Sequence, residues 1–310
     1  RATWGSTRLI GILVVLAYLV VVADVARTVE ARRALVRAFV VGVLAFNVLF
    51  VVPGLGHMLL TPFPTGGSGR LAGGMFDQNS NATLLAAVAL LALTTRAFRR
   101  TAGLVATALG VVLLILTYSR TGYVAFAAGL IAYLVWEGVV RRRNVRLIVS
   151  ALVVVAAAGV ALAASGIVQQ HFAGRPDTTS TREAFVHLSL DYAKADPFFG
   201  AGFGAARHEI GYVIHSTVFA LLGEAGLLAL AAFIALVGIV TFRGLRAALR
   251  PPAPVDVRGL LCVSFCLFVG SFGIDGLLHR HWWIVLGLLL GASYVGIERE
   301  PRRVRETASE

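Results

Sequence analysis

The sequence predicts an all-α protein, a polytopic helical bundle with about nine transmembrane helices in a single membrane domain over residues 1–310. Hydrophobic residues make up 58% of the 310 residues and charged residues only 14%, against about 45–50% and about 25% in soluble domains. Apolar runs of about sixteen residues or more recur along the whole chain. These observations exclude a soluble enzyme, a disordered chain and a disulfide-rich secreted module.

The apolar runs define the predicted crossings in order. The run over 103–140 exceeds the roughly 20 residues that one crossing needs, so we expect it to break at Ser119–Gly122. The charged segment 298–310 is expected to be a disordered cytoplasmic tail. The predicted spans are 9–26, 38–53, 79–95, 103–118, 122–140, 147–166, 214–242, 259–278 and 282–297.

The distribution of basic residues predicts the orientation of these spans. Alternate loops and the tail hold 19 of the 28 Lys and Arg residues, and an excess of positive charge marks the cytoplasmic side. The chain is therefore expected to cross a membrane repeatedly, with these loops and the tail on the cytoplasmic side. It starts at Arg1 without an initiator methionine or a signal peptide, as a fragment lacking earlier helices would.

Two external segments, 54–78 and 167–213, are longer than ordinary connections, which is typical of functional loops. In the second, Ser180 and Glu183 have the spacing of a capping box, and Phe185, Leu188 and Tyr192 recur at helical spacing. We expect a short amphipathic helix over 181–195 on the outer membrane face. Pro197 follows the end of that helix, as a helix stop would.

The external arginines are the first candidates for chemistry, because the charge bias works against them. A guanidinium forms two parallel hydrogen bonds with a phosphate and stays charged at physiological pH. Arg120 lies between two apolar runs with no acidic residue nearby in the sequence, so it is a functional candidate. His215 begins a long apolar helix, where an imidazole could act as a general base or be a structural residue. Glu224 is expected to pair with an arginine within the bundle.

Four motifs in this order resemble those of the O-antigen ligase and O-antigen polymerase superfamily, over about residues 66–245, the predicted core. Arg70 to Ala82 is similar to an R-x-x-G…D-P-N…A signature, with Gln78 in place of the usual Pro. Ser119-Arg120 resembles the family's SR turn. Asp196 to Gly204 resembles its external glycine loop, and His215-Ser216 followed by Gly226 resembles its H-[N/S/Q]-x9-G motif.

The resemblance implies a metal-independent, cofactor-free glycosyltransferase that moves a glycan from undecaprenyl diphosphate to an acceptor hydroxyl outside the cytoplasmic membrane. Its partners would be that lipid-linked donor, a glycan or glycolipid acceptor and the bilayer. The catalytic residues it implies are His215, to activate the acceptor, and Arg120 and Arg182, to bind the diphosphate. The predicted substrate-binding residues are Arg70, Asp77, Asn79, Ser119, Gly202, Arg207, Ser216, Glu224 and Arg280.

Several alternatives stay open at this stage. A membrane solute transporter is the main one, because transporters place ionisable residues inside the membrane and Glu224 falls about ten residues into its predicted span. A non-catalytic scaffold of the cell envelope is a further alternative. Ligase and polymerase differ in the acceptor, which the sequence does not reveal. The net charge of +12 follows from topology, and no basic stripe interleaved with aromatic residues suggests nucleic acid.

Overall fold

The protein is mainly α-helical in the parts that the computed structural model describes, which are residues 2–51, 71, 77–141, 178–211, 213–250 and 255–294. A π-helical turn, Leu221–Ala225, joins α8 to α9. The helices are α1 (Ala2–Val25), α2 (Val29–Val51), α3 (Gln78–Thr94), α4 (Arg100–Leu116), α5 (Arg120–Arg141), α6 (Thr178–Ala195), α7 (Ala205–Ile210), α8 (Thr217–Ala220), α9 (Gly226–Leu249), α10 (Val255–Gly270) and α11 (Arg280–Tyr294).

Helix α3 lies at the centre of the bundle, in contact with α2, α4, α5 and α10. Its residues are buried on every side from Ser80 to Ala92. Small side chains make this possible, since they let neighbouring backbones approach closely. A Cβ added at Gly122 of α5 would lie 2.5 Å from that of Ala82, and one at Gly110 of α4 would lie 3.0 Å from that of Ala89.

Helix α1 packs along α11 through two glycines spaced four residues apart. A Cβ at Gly287 would lie 2.9 Å from the Leu19 carbonyl oxygen, and one at Gly291 would lie 2.5 Å from that of Ala23. This is the G-x-x-x-G arrangement that lets two membrane helices touch through their backbones. It fixes α1 against α11 and so places the start of α1 beside the turn that precedes α11.

Among the residues described, four helical segments are long and apolar enough to cross a membrane, namely Thr7–Val25, Val29–Val51, Arg120–Gly138 and Thr217–Leu249. Large apolar side chains on these helices are exposed, such as Val20 at 66% and Phe242 at 64%, as expected of a surface that faces lipid. Helix α4 is apolar but shorter, at 17 residues. The count of nine spans stays a prediction, because the predicted span 147–166 and the tail 298–310 lie outside the described residues.

The end of the bundle predicted to be cytoplasmic is held by Asp256 at the start of α10. Its carboxylate lies 3.6 Å from the Arg32 guanidinium and 3.7 Å from that of Arg33, and it accepts a 3.0 Å hydrogen bond from the Arg96 amide. These residues belong to three of the predicted cytoplasmic loops. The structure therefore gathers them at one end, as the charge pattern requires.

Two predictions about element boundaries are wrong. Helix α10 ends at Gly270 rather than at 278, because Ser271–His279 forms turns whose backbone is bound by Thr217 of α8. Ser180 lies inside α6, which includes Thr178, so it does not cap that helix. The end of α6 at Ala195, just before Asp196-Pro197, is confirmed.

Helix α6 also packs differently from the expectation of an interfacial helix. Its predicted apolar stripe of Phe185, Leu188 and Tyr192 contacts a small cluster that includes Ala206 and Ile214. The stripe is thus covered by other parts of the protein. Placement of α6 on the membrane surface stays a prediction.

Candidate active site

The SR turn between α4 and α5 is joined directly to the start of α3. The Ser119 hydroxyl donates a 2.7 Å hydrogen bond to Asn79 Oδ1 and accepts one of 3.3 Å from the Gly122 amide in the first turn of α5. Tyr118, just before it, has a φ of 49°, a left-handed conformation that is uncommon for a large side chain. Such strain persists where surrounding contacts impose it, often at functional sites. Here it presents Arg120, the exposed first residue of α5.

Asp77 caps α3 and begins a chain of polar contacts. Its carboxylate accepts hydrogen bonds from the Asn79 and Ser80 amides at 3.0 and 3.1 Å and from the Ser80 hydroxyl at 2.8 Å. Gln78 then occupies the first helical position, where Pro is favoured because its missing N–H is not needed. The family's Pro at this place and the Gln here therefore suit the same geometry.

His279 extends this chain from the turn before α11. Its Nε2 atom lies 3.3 Å from Ser80 Oγ, and its ring stacks on that of His281 with centroids 5.5 Å apart. Burial lowers the pKa of His279, although Asp275 and Asp77 act in the opposite direction. The ring is consequently neutral near pH 7. Because the Ser80 hydroxyl donates to Asp77, Nε2–H of His279 is the donor to Ser80.

His215 lies on the other side of this end of the bundle, half-buried against α6. Its ring centroid is 6.0 Å from that of Phe185, one turn along α6 from Arg182, which is exposed. Ser216 begins α8 with a buried hydroxyl that has no hydrogen-bond partner within the described parts of the chain. The structure thus brings the predicted base and one predicted arginine onto adjoining elements.

The turn over 271–276 connects the His215 region with the SR turn. The Thr217 amide lies 3.0 Å from the carbonyl oxygens of Ser271 and Ile274, and the Gly276 amide donates a 2.8 Å hydrogen bond to Thr217 Oγ1. On its other side, a Cβ at Gly273 would lie 2.5 Å from Thr121 Oγ1. Thr121 follows Arg120 directly. One turn therefore supports the segments that carry His215 and Arg120, two of the three predicted catalytic residues.

The glycine loop lies against the π-helical turn. The amides of Ala201 and Gly202 donate 2.9 Å hydrogen bonds to the carbonyl oxygens of Gly223 and Glu224. Gly200, Gly202 and Gly204 all have positive φ, which explains why glycine recurs there. A π-helical turn leaves carbonyl groups without their usual partners and is frequent at functional sites, and here the loop amides satisfy two of them.

Gly226 ends the π-helical turn in a conformation that essentially only glycine adopts. Its φ is 77° and its ψ −178°, and an added Cβ would lie 2.2 Å from the Phe198 carbonyl oxygen. The spacing from His215 to Gly226 therefore has a physical cause. It is the number of residues between His215 and Gly226, the position at which the glycine loop packs directly against the start of α9.

Residues 105–234 match the family model described as O-antigen ligase. The resemblance to the O-antigen ligase and polymerase superfamily is thus confirmed. No curated protein matches the chain significantly. The O-antigen ligase match runs from α4 into α9 and includes the SR turn, Arg182, the glycine loop and His215. The match supports the conclusion that this is a membrane protein with a ligase-like, glycan-transferring function.

Other predicted residues of this O-antigen ligase-like core lie at the same end. Gly202 is in the glycine loop, Arg207 is exposed on α7, and Arg280 is the exposed first residue of α11. Arg70 lies outside the described residues. No group of three or more His, Cys, Asp or Glu side chains that could hold a metal occurs among the residues described.

Glu224 pairs with an arginine, as predicted from the sequence, and the partner is Arg8 of α1. Its carboxylate also accepts hydrogen bonds from the Gly204 and Ala206 amides at 3.1 and 3.3 Å. Arg8 contacts Asp275 as well. Neither Arg8 nor Asp275 was a predicted site residue, because no motif marks them and they meet Glu224 only through the fold.

Tyr192 of α6 donates a hydrogen bond to Glu209 of α7. Burial and this carboxylate raise the pKa of Tyr192, so its phenol stays protonated and remains the donor. The contact ties α6, which carries Arg182, to the helix that follows the glycine loop.

Proposed function

We propose that the protein transfers a glycan from undecaprenyl diphosphate to an acceptor hydroxyl on the outer side of the cytoplasmic membrane. The observation that carries the proposal is the arrangement of the O-antigen ligase-like core. The SR turn with Arg120 and the segment with His215 meet at one turn, 271–276. The helix with Arg182 packs against His215 through Phe185, at the same end of an apolar bundle.

In this proposal the two arginines bind the diphosphate of the donor. Negative charge grows on the diphosphate as the bond between the sugar carbon and the diphosphate oxygen breaks, and cations held in place stabilise that charge. Both guanidinium groups are exposed, so a ligand can reach them. Asp77 and Ser119 act at a distance from the ligand, by fixing the start of α3 and the turn that carries Arg120.

His215 is the proposed general base. It takes the proton from the acceptor hydroxyl as the acceptor oxygen bonds to the sugar carbon, while undecaprenyl diphosphate leaves. Such assistance is typically worth about 10²–10⁴-fold in rate. Its half-buried position against Phe185 leaves the imidazole accessible from one side. The predicted roles of Arg207, Ser216 and Arg280 as substrate contacts, and that of Arg70, are retained as proposals.

The main observation in favour of a transporter has another explanation. It rested on Glu224 as an ionisable residue within a span, but this carboxylate is engaged by Arg8 and by two loop amides. Glu224 therefore has a structural reason to be buried.

The direct test uses the purified full chain in nanodiscs with an undecaprenyl-diphosphate-linked oligosaccharide. If the donor alone is converted to longer lipid-linked chains, the protein is a polymerase. If product forms only when a glycolipid acceptor is added, it is a ligase. Uptake of a labelled sugar into sealed proteoliposomes without any glycan product would contradict the proposal and favour transport.

A further inference from the structure

Arg8 occupies an unusual position for an arginine. It lies in the second turn of α1 with its side chain 5% exposed, in contact with the carboxylates of both Glu224 and Asp275. Its guanidinium carbon also lies 5.6 Å from the centre of the Phe203 ring in the glycine loop. One guanidinium therefore touches three segments that are far apart in the sequence.

Each carboxylate belongs to an element that supports the candidate active site. Glu224 lies in the π-helical turn and holds the Gly204 and Ala206 amides. Asp275 lies in the 271–276 turn, which binds Thr217 and abuts Thr121. Arg8 thus connects the glycine loop, the segment after His215 and the turn beside Arg120. Helix α1 lies outside the stretch that matches the O-antigen ligase family.

Arg8 also compensates the negative charge of the two carboxylates that it contacts. Two carboxylates face one guanidinium, and a buried carboxylate without a partner is strongly disfavoured. Without Arg8, two uncompensated negative charges would remain on turns that contact α5 and α6, the helices that carry Arg120 and Arg182. Those charges would repel a diphosphate, since interactions in a buried site are weakly screened.

We propose that Arg8 is a positioning residue of the active site, which binds Glu224 and Asp275 together and thereby makes the site able to accept a diphosphate. The proposal rests on the proposed function, because the diphosphate belongs to the lipid-linked donor. It assigns a role in donor binding to α1, which lies outside the residues that match the family model.

The opposite end of the bundle provides a matched control. Arg32 is also buried, with its side chain 1% exposed, and pairs with Asp256. Replacing either arginine by glutamine leaves a carboxylate without its buried positive partner, so each replacement should lower the melting temperature. Only the replacement at Arg8 should affect binding of the donor, because Arg32 lies at the other end of the helices.

The test measures binding of undecaprenyl diphosphate to the full chain in detergent by native mass spectrometry, with melting temperatures in parallel. We expect Arg8→Gln to raise the Kd by about tenfold, a typical coupling between two sites, because Arg8 acts on the donor through Glu224 and Asp275. Arg8→Lys keeps the positive charge, and we expect its Kd to lie between those of the natural protein and Arg8→Gln, since an ammonium lacks the planar fork with which the guanidinium binds two carboxylates. Arg32→Gln should bind as the natural protein does.

Three results would overturn the proposal: unchanged binding in Arg8→Gln, equal weakening in Arg8→Gln and Arg32→Gln, or a higher Kd for Arg8→Lys than for Arg8→Gln. Absence of any binding by the natural protein would overturn it together with the proposed donor. If binding follows the expected pattern but no glycan is transferred, the proposed function fails while the role of Arg8 stands.

Discussion

Ser119 and Asn79, forty residues apart, are joined by a 2.7 Å hydrogen bond between their side chains. Each belongs to a different motif of the sequence, one in the SR turn and the other at the start of α3. The bond shows that the two motifs form one structural unit, in which the buried start of α3 holds the turn that presents Arg120.

Removing this hydrogen bond should reduce the rate of glycan transfer more than the stability of the fold. We expect Ser119→Ala to cost about 1 kcal/mol of stability, the usual net value of one hydrogen bond, and to reduce transfer several-fold because the SR turn loses its link to Asn79. The control is Ser264→Ala in α10, whose hydroxyl bonds only within its own helix, to the Leu260 carbonyl. Equal transfer by the two variants would contradict the role of the bond.

Gly226 should be far less replaceable than Gly238 in the same helix. An alanine at 226 requires a strained φ and a contact of 2.2 Å with the Phe198 carbonyl oxygen, whereas a Cβ at 238 meets nothing within 4 Å. We expect Gly226→Ala to cost about 3 kcal/mol or more and to abolish transfer, and Gly238→Ala to leave the melting temperature within a few degrees. Similar melting temperatures for the two variants would show that the glycine loop does not press on α9.

The stability of the protein should depend on pH through His279. Burial lowers the pKa of His279, so the unfolded chain binds more protons than the folded one near the ordinary histidine value of about 6.5. The contribution is complete above that pH and is lost as the pH falls below it. We expect the melting temperature of the natural protein to fall more steeply between about pH 7 and 5 than that of His279→Gln. Parallel curves would contradict the buried neutral histidine.

The orientation of the bundle can be tested with single cysteines. Cys262 and Cys266 are buried, so they should give little background with a membrane-impermeant maleimide. Glu183 of α6 and Thr101 of α4 are both exposed and lie at opposite ends of the bundle. We expect Glu183→Cys to be labelled in intact cells and Thr101→Cys to be labelled only after lysis. The reverse pattern would place the candidate site in the cytoplasm.

Much of this arrangement was predictable from local patterns. The break at the SR turn, the end of α6 and the pairing of Glu224 with an arginine follow from residue types and spacing. Each depends on a rule that acts over a few residues, or on the cost of leaving a charge unpaired in an apolar helix.

Other features could not be predicted because they depend on contacts between distant segments. The pattern of residues after Gly270 predicts an apolar helix. Their backbone forms turns instead, because Thr217 binds it. Arg8 has no motif, and its significance appears only when α1 meets Glu224 and Asp275. The π-helical turn likewise gives no pattern in the sequence, since its carbonyl partners come from the glycine loop.

The most direct test of the account is the rate of glycan transfer by Arg120→Ala, Arg182→Ala and His215→Ala. Arg100→Ala and His187→Ala are the controls, since Arg100 is the exposed first residue of α4 as Arg120 is of α5, and His187 is exposed on α6. The account predicts losses of about 10²-fold or more for the three site variants and rates near the natural value for the controls. Full activity in the site variants would contradict it.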